Sequence, residues 1–281
     1  MLKSSDPSLK DDLNHRGETN GPTSSTSHKD ASFSNDLFQI LWINENKHFW
    51  FHHRCDLIAW ALKRYFADAR SFLEIGCGNG FVLEYLEARL PSISFWGAEL
   101  FADGLAYARK RLARTTLIQM DIFESPLKAD FDVIGLLDVI EHLDDDESAL
   151  KRAFDHIKPG GGAIITVPQH PSLWSEKDIG AFHKRRYTKS GLRNLLEKTG
   201  FTILRITSFI SFLMPALIIS RKFQTGSRHD DLFDEFSIPP VLNAICGKVC
   251  KLEGFFIKKG LSMPFGGSLM AIVKKPERRH H

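Results

Sequence analysis

A glycine-rich turn between an apolar run and a helical pattern is the feature that most constrains how this chain folds. Residues 72–76 are mainly apolar, and glycines then occupy alternate positions, Gly76, Gly78 and Gly80. Glycine tolerates positive φ angles and lets a ligand approach the backbone closely. The helix predicted over 79–89 would direct its unpaired N–H groups at such a ligand. A strand, a glycine turn and a helix in this order predict a site for a nucleotide-type cofactor.

Strand and helix patterns alternate along most of the remaining sequence. Apolar runs predict strands, and apolar residues at helical spacing predict helices between them. Repeated units of this kind form an α/β fold with an open, doubly wound sheet and right-handed crossovers. A strand over 201–207 follows, and a last strand over 268–274 is expected to pair antiparallel beside it. The earlier strands are predicted at 71–76, 93–98, 115–120, 131–138 and 162–167, and the helices at 79–89, 102–113, 146–157 and 189–199.

The chain divides into regions that differ in composition. Residues 1–31 are polar and nearly devoid of large apolar side chains, which predicts a disordered N-terminal tail. Residues 32–66 are rich in aromatic residues and predict an N-terminal helical cap. The core of the fold is assigned to 67–207 and 263–276. Residues 208–262 form an insertion before the last strand that is long for a plain connection and is predicted to be helical.

Composition also narrows the class of protein. The net charge of +3 is too small to indicate a nucleic-acid partner. The four cysteines show no CxxC spacing, so they are interpreted as reduced thiols and not as metal ligands. The polar N-terminal tail contains no apolar stretch of the kind found in signal peptides. The sequence therefore predicts a cytoplasmic protein.

Acids end four predicted strands at the same edge of the sheet. A dinucleotide fingerprint, G-x-G-x-x-G, would place its third glycine at position 81, where this chain has Phe81. Glu74, two residues before the first glycine, suits a ligand with a cationic end, which a pyrophosphate lacks. Glu99 can accept hydrogen bonds from ribose hydroxyls, and Asp121 can accept one from an adenine amino group. With Asp138 after the fourth strand, these acids argue against a dinucleotide cofactor.

The ordered set of motifs resembles the class I S-adenosylmethionine-dependent methyltransferases, in particular bacterial enzymes with motifs like those of ubiquinone-biosynthesis O-methyltransferases. The matching stretches are 74–80, 97–100, 121–122, 138–142 and 158–165. The resemblance implies S-adenosyl-L-methionine as the cofactor and a seven-stranded sheet in the order 3-2-1-4-5-7-6 with strand 7 antiparallel. It further implies that the cofactor is bound by Glu74, Gly76, Cys77, Gly78, Asn79, Gly80, Glu99, Leu100, Asp121, Ile122, Asp138 and Val139.

The acceptor side of the site is predicted after the fourth and fifth strands. Methyl transfer needs the acceptor atom close to the methyl carbon, and a hydroxyl acceptor benefits from a general base. His183 is preferred as that base, and His142 is interpreted equally well as a residue that hydrogen-bonds its own loop. The two arginines at 185 and 186 alternatively form a solvated face. The catalytic candidates are His183, His142 and Tyr187, and the substrate-binding candidates are His170, Trp174, Arg185 and Arg186.

Asp138, Glu141 and His142 form a D-x-x-E-H set. It is similar to the E-x-x-E-H set that binds a divalent metal in some ubiquinone-biosynthesis O-methyltransferases. Ligands at i, i+3 and i+4 converge on one side of a turn. Many relatives with this string are metal-free, and we predict no metal for this chain.

The insertion contains two apolar segments. Residues 208–222 are too short to span a bilayer and are interrupted by Pro215. Residues 241–259 combine apolar positions with lysines, which is typical of a basic amphipathic helix. Residues 201–281 hold 12 Lys and Arg against 6 Asp and Glu. Two interpretations stay open: a lid that also forms a homodimer face, or a peripheral contact with an anionic membrane.

The sequence thus predicts an S-adenosylmethionine-dependent methyltransferase. The expected acceptor is an oxygen of a small molecule, which the basic insertion and the arginines mark as lipid-linked or phosphorylated. Two alternatives are methylation of protein or RNA, and a partner protein that binds the cofactor without turnover. The basic C-terminal part permits RNA, but no RNA-binding module is visible in the sequence.

Overall fold

A seven-stranded sheet forms the centre of the computed structural model, which describes residues 35–127, 130–223 and 238–277. Its order is β3-β2-β1-β4-β5-β7-β6, and β7 runs antiparallel to both of its neighbours. The order and the antiparallel last strand confirm the predicted fold class. The predicted disordered tail, 1–31, lies outside the described residues. The strands are β1 (Ser71–Ile75), β2 (Ser94–Glu99), β3 (Thr116–Gln119), β4 (Phe131–Leu137), β5 (Ile157–Pro168), β6 (Thr202–Phe209) and β7 (Ser268–Lys274).

Helices alternate with the strands, as the sequence predicts. Side-chain caps begin several of them: the Thr188 hydroxyl accepts a hydrogen bond from the Gly191 N–H at 3.0 Å. Short 3-10 turns occur at Ile122–Glu124, Ile140–His142 and Pro171–Leu173. The described helices are α1 (Asn35–Asn44), α2 (Phe49–Tyr65), α3 (Phe81–Glu87), α4 (Ala102–Arg111), α5 (Asp146–Asp155), α6 (Glu176–Gly180), α7 (Lys189–Lys198), α8 (Met214–Phe223) and α9 (Pro240–Lys258).

The central strand β1 sets the level of the site. It pairs in parallel with β2 on one side and β4 on the other, with Ile75 beside both Ala98 and Leu136. Phe72 and Leu73 are fully buried and point to opposite faces of the sheet. Because helices cover both faces, the apolar run needs no alternation with polar residues. The carboxyl ends of β1, β2 and β4 therefore lie side by side at one edge.

Two hydrophobic cores flank the sheet. One lies between the sheet and α2 with α3, and includes Leu62 and Leu83. The other lies under α5 and α7, and includes Leu150 and Leu192. Each of these four helices buries one apolar stripe on the sheet, which is the packing expected for a doubly wound fold.

Helices α1 and α2 stand where the aromatic N-terminal cap is predicted. Arg111 of α4 pairs with Glu45 just after α1, with the guanidinium Nη1 and carboxylate Oε2 2.8 Å apart, and its guanidinium also lies over the Trp42 ring at 4.5 Å. The Asn79 amide donates a hydrogen bond to the Phe38 carbonyl at 2.8 Å. These contacts tie the cap to the glycine turn, so α1 and α2 form one wall of the space above the strand ends.

The insertion between β6 and β7 contributes α8 and α9. Residues 224–237, between these helices, lie outside the described part of the chain. Helix α9 packs along α2, where the Asn243 carboxamide oxygen accepts a hydrogen bond from the Phe49 N–H at 2.9 Å. Among the described residues, no helix combines the length and hydrophobicity needed to cross a bilayer. The described residues of the insertion thus form two helices, and their orientation on the core is the part that sequence alone does not give.

Candidate functional site

A cleft of about 680 Å³ opens at the carboxyl edge of β1, β2 and β4. In an open α/β sheet this edge is where ligands bind. The ends of the three strands form its floor, the helical cap forms one wall, and the stretch around α6 forms another. Ile210, Leu217 and Ile238 bring the insertion to its rim.

The glycine turn forms the floor of the cleft with its backbone. Gly76, Gly78 and Gly80 have φ angles of 73°, 50° and 76°, in the region that favours glycine. A Cβ on Gly76 would lie 2.6 Å from Val139 Cγ2, whereas one on Gly78 would meet nothing within 4 Å. Gly76 is therefore needed for packing against Val139. Gly78 leaves open space in front of its backbone, as a close-binding ligand requires.

Glu74 carries an unsatisfied acceptor. Its side chain is buried, and its Oε2 has no hydrogen-bond partner. Burial raises the pKa of Glu74 to about 8; Arg54 opposes this rise, and the carboxylates of Glu45 and Glu99 add to it. A bound cation would complete the bonding of this oxygen and favour the ionised form. The position therefore fits the ammonium end of an amino acid.

Glu99 ends β2 and organises the turn opposite it. Its Oε2 accepts the Gly78 N–H at 2.8 Å and its Oε1 accepts the Phe101 N–H at 3.1 Å. Burial raises the pKa of Glu99, while these backbone hydrogen bonds oppose the rise. Each carboxylate oxygen keeps a further lone pair, so Glu99 can also accept two hydroxyls of a ribose.

The third acid lies at the far end of the cleft. Asp121 caps the 3-10 turn after β3, and its Oδ1 accepts the Phe123 N–H at 2.9 Å. Ile122 beside it is buried, and Leu100 is 41% exposed at the cleft wall. An acid next to two apolar side chains fits a flat heterocycle that carries an amino group.

Two residues of the glycine motif line the cleft while their side chains also contact neighbouring elements. The Asn79 amide holds the Phe38 carbonyl of α1, as described above. The Cys77 sulfur lies against Gly97, since a Cβ built there would be 2.9 Å from Sγ. Burial raises the pKa of the Cys77 thiol well above its ordinary range. Both residues line the cleft, and Cys77 meets it as a neutral thiol.

Arg54 is the main site residue that sequence reasoning missed. It projects from α2, forms a buried ion pair with Asp138, and places its guanidinium 4.5 Å from the centre of the Trp50 ring. Asp138 has a φ of 59° and also accepts the Thr166 hydroxyl at 3.0 Å. The Arg54 Nε is buried without a partner. The signal in the sequence is weak: Arg54 lies in the first half of a helix whose apolar residues are buried, whereas the other arginine of that helix, Arg64, lies in its last turn.

Asp178 and His183 form a hydrogen-bonded pair at the acceptor side of the cleft. His183 Nδ1 lies 2.9 Å from Asp178 Oδ1, and Arg186 Nε donates to the same oxygen at 2.7 Å. Burial opposes ionisation of Asp178, but the hydrogen bond from His183 and the Arg186 charge hold its pKa below the ordinary value. The ionised carboxylate accepts a hydrogen bond from Nδ1–H, which leaves His183 Nε2 as a proton acceptor. Sequence reasoning identified His183 and Arg186 but missed Asp178.

His142 and Glu141 lie next to this pair. The rings of His142 and His183 are 4.9 Å apart, and burial, followed by the charge of His183, lowers the pKa of His142 to about 4. Glu141 is fully buried with both carboxylate oxygens unpartnered, and burial, with Asp138, raises its pKa well above the usual range. His142 is thus neutral near pH 7, and burial favours the protonated form of Glu141.

One atom each of Glu141, His142 and His183 lies within 4.8 Å of the others, a spacing that could hold a metal ion. Asp138 is not part of this group, because its carboxylate is held by Arg54 and Thr166. The predicted D-x-x-E-H set therefore does not converge on one point. We assign no metal-dependent step to these residues.

Four other candidate residues lie outside the cleft. The buried Tyr187 hydroxyl donates to the Asp146 carboxylate at 2.7 Å, and burial, with Asp146, raises its pKa. Arg185 pairs with the same carboxylate at 3.0 Å. Trp174 is 40% exposed, and His170 lines a separate shallow pocket beside α7. His183, His142 and Arg186 line the cleft together, whereas these four residues are not part of its lining.

Comparison with known proteins agrees with this geometry. Residues 45–206 match the family model described as a methyltransferase domain, which is more than half of the chain. The chain belongs to that family, and the predicted membership of the class I S-adenosylmethionine-dependent methyltransferases is confirmed. The cofactor of that class, S-adenosyl-L-methionine, is the one that the unsatisfied Glu74, the glycine turn, Glu99 and Asp121 fit.

Individual relatives are more distant. A ubiquinone biosynthesis O-methyltransferase of Pseudomonas fluorescens is 24% identical over 131 residues, 44% of this chain and 56% of the relative. A dTDP-3-amino-3,4,6-trideoxy-alpha-D-glucopyranose N,N-dimethyltransferase of Streptomyces venezuelae is 29% identical over 126 residues, 42% of this chain and 51% of the relative. The chain thus spans about half the length of the curated relatives it matches.

Among solved structures, the plantazolicin methyltransferase in complex with S-adenosylhomocysteine has a TM-score of 0.57. The alignment covers 86% of this chain and 90% of that protein at 17% identity. At this identity the likeness shows the fold and leaves the acceptor unassigned.

Proposed function

We propose that this protein transfers a methyl group from S-adenosylmethionine to an oxygen of a small acceptor. The observation that supports the proposal best is a single cleft that has cofactor-type residues at one side and the Asp178–His183 pair at the other. Oxygen is favoured as the acceptor atom because a hydroxyl must lose its proton during transfer, which a positioned base assists.

Residues of the cleft floor and of the helical cap would each bind a different part of the cofactor. Glu74 would hold the ammonium and Glu99 the ribose hydroxyls, while Asp121 would accept from the adenine amino group. Arg54 lies where the carboxylate of the methionine end would come, and its unpaired Nε supplies a donor. The cofactor supplies an electrophilic methyl group on a sulfonium; the residues of this chain bind it, orient it and exclude water.

The acceptor side supplies the proton acceptor. His183 Nε2 would take the proton of the acceptor hydroxyl as the oxygen attacks the methyl carbon. Asp178 would keep the imidazole in the correct tautomer and stabilise its positive charge afterwards. Neutral His142 beside it adds no competing charge. Aromatic side chains of the cap, Trp50 and Phe51, close the cleft against water and hold the reactants together.

The rim suggests the nature of the acceptor. Arg186 lines the cleft beside His183 with its charge paired to Asp178, and its remaining N–H groups would offer donors to a polar group on the acceptor. Ile210, Leu217 and Ile238 give an apolar path leading to it. Both features together fit an acceptor that carries a polar group and an apolar tail.

Two measurements test the proposal. Isothermal titration calorimetry with S-adenosylhomocysteine should show one site, and absence of binding would remove the cofactor assignment. Purified protein is then incubated with tritiated methyl S-adenosylmethionine and separate lipid, small-molecule, RNA and protein fractions of a cell extract. Label in the lipid or small-molecule fraction supports the proposal; label only in RNA or protein overturns the acceptor class. Cofactor binding without any labelled product would favour a partner protein without turnover.

Cofactor binding should release a proton from Glu74. The raised pKa, about 8, leaves this carboxyl mainly protonated at pH 7, and a bound ammonium favours the carboxylate. About one proton per cofactor is therefore expected at pH 7, and the number should fall toward zero as the pH rises past 8. Calorimetry in buffers of different ionisation enthalpy measures it directly.

The matched variants for this prediction are Glu74→Gln and Glu197→Gln. The first removes the titrating group and should abolish proton release while weakening S-adenosylhomocysteine binding by about tenfold or more. Glu197 is exposed on α7, so its replacement should change neither quantity. Equal proton release from the wild type and Glu74→Gln would show that another group titrates.

A further inference from the structure

Helix α9 presents its apolar side to solvent. Val241, Ile245 and Leu252 are 74%, 52% and 53% exposed. With Phe256 they follow the spacing i, i+4, i+11 and i+15, which places them in one stripe along the helix. In a surface helix of a globular protein such a stripe normally faces the core, so α9 is inverted relative to the usual arrangement.

The opposite side of α9 explains why it sits this way. Cys250, Glu253 and Ile257 are buried there against α2 and β6. Glu253 accepts the N–H groups of Ile210 and Phe212 at 2.7 and 2.9 Å. A buried carboxylate with several backbone donors fixes the rotation of the helix, and the apolar stripe is left outside.

The apolar surface extends beyond the helix. The Phe256 ring lies 5.6 Å from that of Phe255 and 6.3 Å from that of Phe212, next to α8. Leu261 and Phe265, in the loop toward β7, are also more than half exposed. We call the stripe and these neighbours the α9 face. A cluster of exposed apolar side chains bordered by charged residues is typical of a binding site.

The exposed charged side chains of helix α9 are all lysines. Lys248, Lys251, Lys258 and Lys259 are exposed on or next to the helix. Within the described stretches 201–223 and 238–274, Glu253 is the only acid, and it is buried. Within these described stretches the stripe is thus flanked by lysines, with no exposed acid.

From this arrangement we propose that the α9 face docks on an anionic lipid surface, with the apolar stripe in the headgroup region and the lysines on the lipid phosphates. A basic helix with an exposed apolar stripe is the type that lies in a membrane interface. A second copy of the chain is the other natural occupant. Judged from the described stretches 201–223 and 238–274, an isologous contact would bring the lysines of both copies together with no exposed acid to offset them, so anionic lipid is favoured.

Docking in this orientation has a consequence for the site. Leu217 of α8 and Ile238, two residues before α9, belong to the insertion and also line the rim of the cleft. A membrane at the α9 face would therefore lie beside the acceptor end of the cleft. This consequence, unlike the docking itself, rests on the proposed function, and it implies a lipid-borne acceptor that enters from the bilayer.

The test is co-sedimentation of the full chain, without cofactor or acceptor, with vesicles. Vesicles of equal parts phosphatidylglycerol and phosphatidylcholine should bind the protein, and pure phosphatidylcholine should bind it at least tenfold more weakly at about 0.1 M salt. Leu252→Ser with Phe255→Ser, and separately Lys248→Glu with Lys251→Glu, should each reduce binding by roughly tenfold or more. All four residues are exposed, so the variants should fold.

Lys63→Glu with Arg109→Glu is the matched control, because it changes the same net charge on other helices. Vesicle binding equal to that of the wild type in this control, with loss in the α9 variants, supports the proposal. Failure of the wild type to bind anionic vesicles overturns it, and so does sedimentation of a stable dimer that the Leu252 and Phe255 substitutions dissociate. Since no methyl transfer enters the assay, either result is independent of the proposed enzymatic function.

Discussion

His183→Ala is expected to slow methyl transfer by about 10²–10⁴-fold while leaving S-adenosylhomocysteine affinity unchanged. The His183 imidazole combines a fixed tautomer with access to the acceptor end of the cleft, because Asp178 Oδ1 accepts a hydrogen bond from its Nδ1–H at 2.9 Å. His142 cannot substitute well, since burial, with the nearby His183, lowers its pKa to about 4. The rate is measured as transfer of tritiated methyl to the labelled fraction.

Asp178→Asn separates positioning from proton acceptance in the same assay. The amide can also offer its NH₂ group to Nδ1 and stabilise the wrong tautomer, so kcat should fall by roughly 10-fold or more with KM for the cofactor unchanged. His156→Ala, on a half-buried histidine next to α5, serves as the control and should match the wild type. Full turnover by His183→Ala would show that the acceptor needs no base, as expected for an amine that is already neutral.

The fold was readable from the sequence because its dominant strands are buried on both faces. The runs at 71–76 and 131–138 match β1 and β4 to within one residue. The glycine turn was equally predictable from the sequence, since few residues other than glycine adopt positive φ angles. Helix α3 is shorter than the predicted 79–89, because Gly80 stays in the left-handed region and the helix begins only at Phe81.

The cofactor side of the site was predictable for a related reason. Glu74 lies near the end of β1, Glu99 ends β2 and Asp121 follows β3. Because these strands pair in parallel, their carboxyl ends meet at one edge of the sheet, and residues far apart in sequence come close together there. The acceptor side depends on elements that meet only after folding. Arg54 comes from the cap, 84 residues before Asp138, and no sequence pattern connects the two. Asp178 lies in the five-residue helix α6, five residues before His183, but only the turn after α6 brings their side chains together.

The insertion shows another limit of pattern reasoning. The periodicity of α9 predicts a stripe but not the direction in which it points. A stripe normally faces the core because burying apolar area is favourable. Here Glu253 accepts hydrogen bonds from backbone N–H groups on the inner side of α9. These hydrogen bonds hold the helix with its apolar stripe outward.

Glu253→Ala should therefore have the largest effect on stability outside the sheet. Removing the carboxylate leaves the N–H groups of Ile210, Ser211 and Phe212 without their acceptor, and His53 Nε2 loses the partner 3.2 Å away. Ile210 also has a φ of 58°, unusual for a β-branched residue, so this turn persists only while its hydrogen bonds hold it. Breaking such a buried network costs about 3–5 kcal/mol.

Urea unfolding measures this loss, and hydrogen exchange locates it. The amides of residues 210–212 should exchange faster in Glu253→Ala, while those of β1 and β4 keep their order of protection. Glu253→Gln retains one acceptor oxygen and should lose less stability than the alanine variant. Glu197→Ala removes an exposed carboxylate and should stay within about 0.5 kcal/mol of the wild type. A similarly small change in Glu253→Ala would mean that water replaces the carboxylate, and that apolar contacts alone orient α9.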